Sequence, residues 1–109
     1  MAIQNMSVQE LASRLTAGNA CVLDVREPWE VGTACICNAL AIPMNDVPDR
    51  LDELRAASDG KDLVVMCHSG QRSGVITRFL NQAGFDRVFN LDGGIEAWSQ
   101  EIDPSVPSY

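Results

Sequence analysis

The sequence predicts an α/β fold in which a mostly parallel β-sheet carries helices on both faces. Short apolar runs alternate along the chain with segments of helical period, and Gly, Pro, Asn or Asp punctuates the connections. The runs at 21–25, 39–42, 63–66 and 87–91 are nearly continuous rather than alternating, as expected of strands covered on both faces. Strands joined through helices pair in parallel, because the crossover returns the chain to the same end of the sheet. At 109 residues the chain has room for one domain, expected over 1–103, followed by an extended, loosely held tail over 104–109.

Each element has its own warrant. Ser7 followed by Glu10 has capping-box spacing, and Val8, Leu11, Ala12 and Leu15 then share one helical face until Gly18 ends the helix. The first strand follows at 21–25, and Pro28 suits the start of a short helical turn through Val31. A second strand at 39–42 is closed by Pro43. Asn45 is expected to cap a helix with Val47, Leu51 and Leu54 on one side, Pro48 being tolerated in its first turn. Asp59-Gly60 marks a turn before 63–66, the clearest buried strand. After a polar loop, Val75, Ile76, Phe79 and Leu80 share a helical face, with Gly84-Phe85 as a left-handed cap. A last strand at 87–91, the turn Asp92-Gly93-Gly94 and a short helix over 95–99 complete the domain. Trp98 is expected in the core, and Trp29 is also read as a packing residue.

Composition narrows the function. The chain is 46% hydrophobic and 21% charged, ordinary for a folded domain, and its net charge of −7 argues against nucleic acid, whose phosphates call for clustered Lys and Arg. The acids at Glu27, Glu30, Asp46, Asp49, Asp52 and Glu53 read as a solvated surface. No run is long and apolar enough to span a bilayer, and 1–9 lacks the basic start and apolar run of a secretory signal, so no membrane and a cytoplasmic location are expected. The four cysteines, Cys21, Cys35, Cys37 and Cys67, are expected to be thiols in a reducing compartment. Cys35 and Cys37 form a C-x-C without a second pair to close a metal site, and Cys21 reads as a small buried hydrophobe.

Cys67 stands apart. It ends the run at 63–66 and opens Cys67-His68-Ser69-Gly70-Gln71-Arg72-Ser73, which leads into a helix. In open α/β sheets, ligands bind at the carboxyl ends of the strands. A loop in this position can curl so that backbone N–H groups converge on one point, with the positive end of the next helix behind them. That environment favours an anion and so a nucleophilic thiolate. Gly70 is the residue suited to the unusual backbone angles of the curl, Arg72 adds a positive charge, and Ser73 is expected to cap the helix.

Four segments together resemble the rhodanese family: Val22-Leu23-Asp24-Val25-Arg26-Glu27-Pro28, the Cys67–Ser73 loop, Ala83-Gly84-Phe85, and Leu91-Asp92-Gly93-Gly94-Ile95-Glu96-Ala97-Trp98. In order and at family spacing, they extend the resemblance from about Ser7 to Trp98. The resemblance implies a rhodanese-like sheet of about five mainly parallel strands. It also implies a sulfurtransferase in which thiolate Cys67 attacks the outer sulfur of thiosulfate or a related donor, releasing sulfite. Cyanide or a thiol, a protein thiol included, would then take the sulfur from the Cys67 persulfide, a covalent two-step scheme. No metal or organic cofactor is implied, and the chain is expected to be a monomer or weak homodimer. Cysteine phosphatases resemble this arrangement with a loop one residue longer. The four residues between Cys67 and Arg72 favour sulfur over phosphate or arsenate chemistry. A sulfur carrier loaded by a partner protein is the alternative.

The supporting residues follow. Asp24 and Arg26 end an inner strand and should approach the same sheet edge as Cys67. Asp24 is expected to pair with an arginine, Arg72, and brace the loop, while Arg26 either steers an anionic donor or braces the next turn. His68 is expected to point away from the sulfur and shape the pocket rim. Where many family members have Gly-His-Ile-Pro-Gly-Ala, this chain has Ala34-Cys35-Ile36-Cys37-Asn38-Ala39, with Asn38 able to make the tight turn. Cys35 or Cys37 is a candidate resolving thiol for Cys67.

Overall fold

The computed structural model describes residues 3–109. Five parallel strands form one sheet: β1 (Asn5–Met6), β2 (Ala20–Asp24), β3 (Leu40–Ala41), β4 (Asp62–Met66) and β5 (Val88–Leu91), in the order β1-β5-β4-β2-β3. The helices are α1 (Val8–Thr16), α2 (Pro28–Thr33), α3 (Leu51–Ala57), α4 (Gln71–Gln82) and α5 (Gly94–Glu101). The expected α/β architecture is therefore present, with the two-residue β1 added at one edge. Two residues carry no periodicity, and β1 exists only because β5 offers it a partner.

Strand β4 shows why the sheet is covered twice. Its side chains alternate, Val64 and Met66 entering one core with Leu11, Val22, Leu91 and Trp98, and Leu63, Val65 and Cys67 entering the other with Leu23, Leu54, Ile76 and Leu80. Every residue of β4 is buried, which accounts for its unbroken apolar reading.

Local chemistry sets the boundaries. Ser7 Oγ accepts the Glu10 N–H at 3.1 Å to start α1, while the Glu10 carboxylate pairs with Arg14. Asn38 takes the left-handed conformation at φ 66°, making the turn anticipated for it. The helix expected from Asn45 is divided: a 3₁₀ helix runs over Met44–Asp49, Arg50 breaks it, and α3 follows. Pro48 lies inside the 3₁₀ segment, where it lacks an N–H to donate. Val47 and Leu54 are still buried together. Val75 leaves the buried face of α4 at 60% exposure, and Trp29 is 66% exposed rather than packed. Cys21 is half-buried. No helix among the described residues is long and apolar enough to cross a membrane.

The tail is held rather than loose. Val106 is buried, its carbonyl accepting the Ser99 hydroxyl at 2.6 Å, and Tyr109 reaches the carboxyl end of the sheet. Apolar side-chain burial and a buried hydroxyl fix this segment without regular structure.

Candidate active site

Register places the site. In the parallel pairing of β2 and β4, Asp24 lies opposite Met66, so Asp24, Arg26 and Cys67 emerge at one edge of the sheet, as the sequence implies. Cys67 is only 1% exposed. Its carbonyl accepts the Ile95 N–H at 3.0 Å, and the His68 carbonyl accepts the Glu96 N–H at 3.1 Å. These are N–H groups of the first turn of α5, which have no partner within the helix. The start of the loop thus satisfies the end of α5, and each fixes the other. Gly94 makes the approach possible: at φ 61°, a Cβ there would lie 2.6 Å from the Cys67 carbonyl oxygen and press on that of His68.

The loop curls around the sulfur. Gly70 has φ 113° and immediately precedes α4, and its N–H points at Cys67 Sγ from 3.1 Å. Ser73 does not cap the helix. It lies inside α4 with Oγ 3.3 Å from Cys67 Sγ and 2.5 Å from Asn90 Oδ1. Asn90 Nδ2 donates to the Gly70 carbonyl at 3.2 Å and to Asn5 Oδ1 at 3.3 Å, so its oxygen faces Ser73. The single hydroxyl proton of Ser73 therefore lies within reach of both Asn90 and the sulfur. Burial pushes the Cys67 thiol up, but hydrogen bonds from the Ser73 hydroxyl and the N–H groups of Ser73, Gly70 and Ser69 outweigh it and hold the thiol below its ordinary value. The arrangement can hold a thiolate, or any anionic sulfur bonded to it. The Ser69 and Gln71 side chains are exposed at the mouth.

The charged residues correct the expected pairing. Asp24 does not pair with Arg72. Both are taken elsewhere: Asp24 binds Arg26 through two bonds of 2.9 and 2.6 Å, and Arg72 binds Glu30 through two of 2.6 and 2.8 Å. The short strand-to-helix connection holds Asp24 and Arg26 together, since the Arg26 backbone N–H also bonds Asp24 Oδ1 at 3.1 Å. Arg26 is fully buried and caps the carbonyls of Glu30 and Ala34. It therefore braces α2 and the turn after it, and does not face a donor. Loop support falls to Glu30, whose carboxyl Arg72 holds down to about 2, with the Tyr109 hydroxyl bond adding to the effect. The Arg72 guanidinium is raised above its ordinary value mainly by Glu30.

Tyr109 joins these parts. Its hydroxyl accepts from Arg26 Nη1 at 2.9 Å and donates to Glu30 Oε2 at 2.7 Å, while its ring stacks on His68 with centroids 4.3 Å apart and 14° between planes. Trp29 meets the same ring edge-on at 5.9 Å. His68 is accordingly a wall of the mouth, engaged with Tyr109. Cys35 and Cys37 are exposed thiols flanking the buried Ile36.

Sequence reasoning missed Glu30, Tyr109 and Asn90. Glu30 had a signal, standing three residues after Glu27, where its carboxylate accepts the Glu27 N–H at 3.1 Å. Asn90 also had one, as a polar residue within an otherwise apolar run. Tyr109 had none, because its partners lie 79 and 83 residues away.

Comparison with known proteins agrees with the geometry. The family described as the rhodanese-like domain matches residues 7–101. A sulfurtransferase of Allochromatium vinosum is 34% identical over 105 residues, covering 95% of this chain and 95% of that protein. The chloroplastic rhodanese-like/PpiC domain-containing protein 12 of Arabidopsis thaliana is 33% identical over 115 residues, but this chain, covered to 98%, spans only 38% of its length. Among solved structures, the human single-domain sulfurtransferase TSTD1 superposes with a TM-score of 0.78 at 27% identity, covering 92% of this chain and 98% of that one. With a strand-end cysteine inside a ring of donors and a family match over most of its length, the chain belongs to the rhodanese family of sulfurtransferase-type domains.

Proposed function

We propose that Cys67 is the nucleophile of a sulfur transfer, taking the outer sulfur of thiosulfate or a related sulfane donor and passing it to a thiophilic acceptor. The carrying observation is the convergence of the Gly70 N–H and the Ser73 hydroxyl on the buried Sγ at the end of β4. In the first step, thiolate Cys67 forms an S–S bond to the outer sulfur of the donor, the donor's bond to that sulfur breaks, and the rest of the donor leaves with the electron pair. With thiosulfate the products are Cys67–S–S⁻ and sulfite. The second step returns the thiolate when cyanide or a thiol attacks the outer persulfide sulfur. The donors that favour the thiolate also favour the persulfide anion.

Phosphate transfer is less well supported. Arg72 presents the paired fork of its guanidinium to Glu30, so that fork faces a carboxylate rather than an incoming phosphate. A carrier loaded by a protein persulfide is the second reading, favoured by the exposed Trp29 at the rim, since exposed aromatics near a site suit a protein partner. Intact mass after incubation with a sulfane donor tests the proposal. Gain of one sulfur, reversed by cyanide and absent from Cys67→Ala, is the expected result. Loading by a protein persulfide but not by any small donor would select the carrier, and no loading by either would reject the persulfide.

A further inference from the structure

The Ser73 hydroxyl carries one proton and has two acceptors within reach. Its Oγ lies 2.5 Å from Asn90 Oδ1 and 3.3 Å from Cys67 Sγ. Ser73 is fully buried and Asn90 is 8% exposed, so bulk water serves neither acceptor. Asn90 is held in place by its other bonds. Its amide nitrogen donates to the Gly70 carbonyl at 3.2 Å, and Gly70 is the residue whose own N–H points at the same sulfur. A second bond runs to Asn5 Oδ1 of β1 at 3.3 Å. The sheet fixes the backbone as well, pairing Asn90 with Val65 of β4 on one side and Asn5 of β1 on the other. The amide oxygen is thereby aimed at Ser73.

The two states of Cys67 use the Ser73 proton differently. In the thiol, the Cys67 S–H donates to Ser73 Oγ and the Ser73 proton goes to Asn90, so each group is satisfied. Ionisation releases the S–H proton to solvent, and the Ser73 hydroxyl turns to the thiolate as a charge-assisted donor. That turn leaves Asn90 Oδ1 without the Ser73 bond in a buried site, which costs free energy. Asn90 therefore opposes the loop N–H groups, which favour the thiolate. The opposition has a kinetic side, because a thiolate loses nucleophilicity as it loses basicity. The charged groups around the sulfur are separate from this competition. Arg72, whose charge is felt at Cys67, is bonded to Glu30, Arg26 is bonded to Asp24, and His68 is stacked on Tyr109. Asp92 and Glu96, before and within α5, are exposed. The side-chain bonds of Asn90 go to Ser73, Gly70 and Asn5, so replacing it leaves those charges in place.

We infer that Asn90 is a positioning residue for Cys67: by competing with the sulfur for the Ser73 proton, it keeps the thiolate basic and therefore reactive. The inference deepens the reading of Cys67 as the nucleophile and rests on it. The test follows exchange of Cys67 with a neutral pyridyl disulfide against pH, in the wild-type chain and in Asn90→Leu, each with and without Ser73→Ala. Peptide mass spectrometry assigns the rate to Cys67, since Cys35 and Cys37 are exposed thiols. Asn90→Leu is expected to lower the midpoint of the profile by about one unit and to slow its high-pH plateau about threefold. Without the Ser73 hydroxyl, the same substitution is expected to move the midpoint by no more than about 0.3 unit. A midpoint that stays or rises in Asn90→Leu, or a fall of equal size in the Ser73→Ala background, would overturn the inference and leave Asn90 as a brace of the loop. If Asn90→Leu does not fold, the side-chain carbonyl of Asn90 in the wild-type chain decides. Its carbon-13 resonance is expected to move upfield through the Cys67 midpoint as the Ser73 proton leaves it, and a resonance indifferent to that midpoint would overturn the inference. Sulfur loading from a sulfane donor, read by intact mass in parallel, keeps the two failures apart. Absence of loading in the wild type would reject the persulfide, while the exchange profile would still decide the part played by Asn90.

Discussion

At the scale of single residues, the site depends on hydrogen bonds that reach a charge. Ser73 Oγ lies 3.3 Å from Cys67 Sγ, and a hydrogen bond to a charged group is worth about 1.5–3 kcal/mol. Ser73→Ala should therefore move the midpoint of Cys67 alkylation against pH upward by about one unit. An iodoacetamide rate profile measures it, and an unmoved midpoint would show that the backbone N–H groups suffice. Glu30 makes a second prediction. Its carboxyl titrates near 2 when folded against an ordinary 4.5, so its contribution to stability is complete above 4.5 and fades as the pH falls toward 2. Glu30→Gln should cost about 1–2 kcal/mol at neutral pH, less than a fully buried pair because Arg72 is 35% exposed. Urea denaturation of both proteins from pH 7 to 2 should show the difference closing across that window. A gap independent of pH would assign the loss to packing.

At the scale of elements, the loop is held from both sides. β4 and α4 carry its ends, and the first turn of α5 grips it through the Ile95 and Glu96 N–H groups. Gly94→Ala would drive a methyl into the Cys67 and His68 carbonyls. The loss should exceed about 2 kcal/mol, a combination of left-handed backbone strain and displaced hydrogen bonds. Thermal unfolding together with persulfide loading checks this, and a variant of unchanged stability and loading would mean that α5 does not position the loop. The Asp24–Arg26 pair, buried on both sides, joins β2 to α2. Asp24→Asn leaves a buried guanidinium short of its counter-charge and should cost about 3–5 kcal/mol by denaturant titration.

At the scale of the whole molecule, the tail closes the structure. Residues 104–109 bring Val106 into the core that holds Trp98 and place Tyr109 against Arg26, Glu30 and His68. Removing them should cost about 2–3 kcal/mol, from one buried Val and the lost hydrogen bonds, and should widen the mouth around His68. Chemical denaturation measures the first, and the alkylation rate of Cys67 with a bulky reagent measures the second. Equal stability and equal accessibility would return this segment to the loose tail suggested by its two prolines.

Much of the fold was legible because the local and tertiary requirements agree. A strand buried on both faces must be apolar throughout, and the run at 63–66 is. A curl of N–H groups needs a residue free of Cβ, and Gly70 stands where that need arises. Cys67, at the meeting of these two demands, could be identified without coordinates. Which carboxylate holds which arginine could not. Glu30, which the sequence reads as part of a solvated acidic surface, is buried and takes Arg72 in place of Asp24. The choice was made by the geometry of β2 and its turn, which presents both oxygens of Asp24 to Arg26 before Arg72 can reach them. The contacts of Tyr109 and the edge strand β1 lie further still from local signals, because their partners are brought close only by the packed sheet. The sequence by itself determined the layered α/β architecture and the cysteine at its centre, since both follow from local apolar pattern and backbone freedom. Only the tertiary structure decided the charge pairing at the mouth, because pairing depends on distances that exist once the chain has folded.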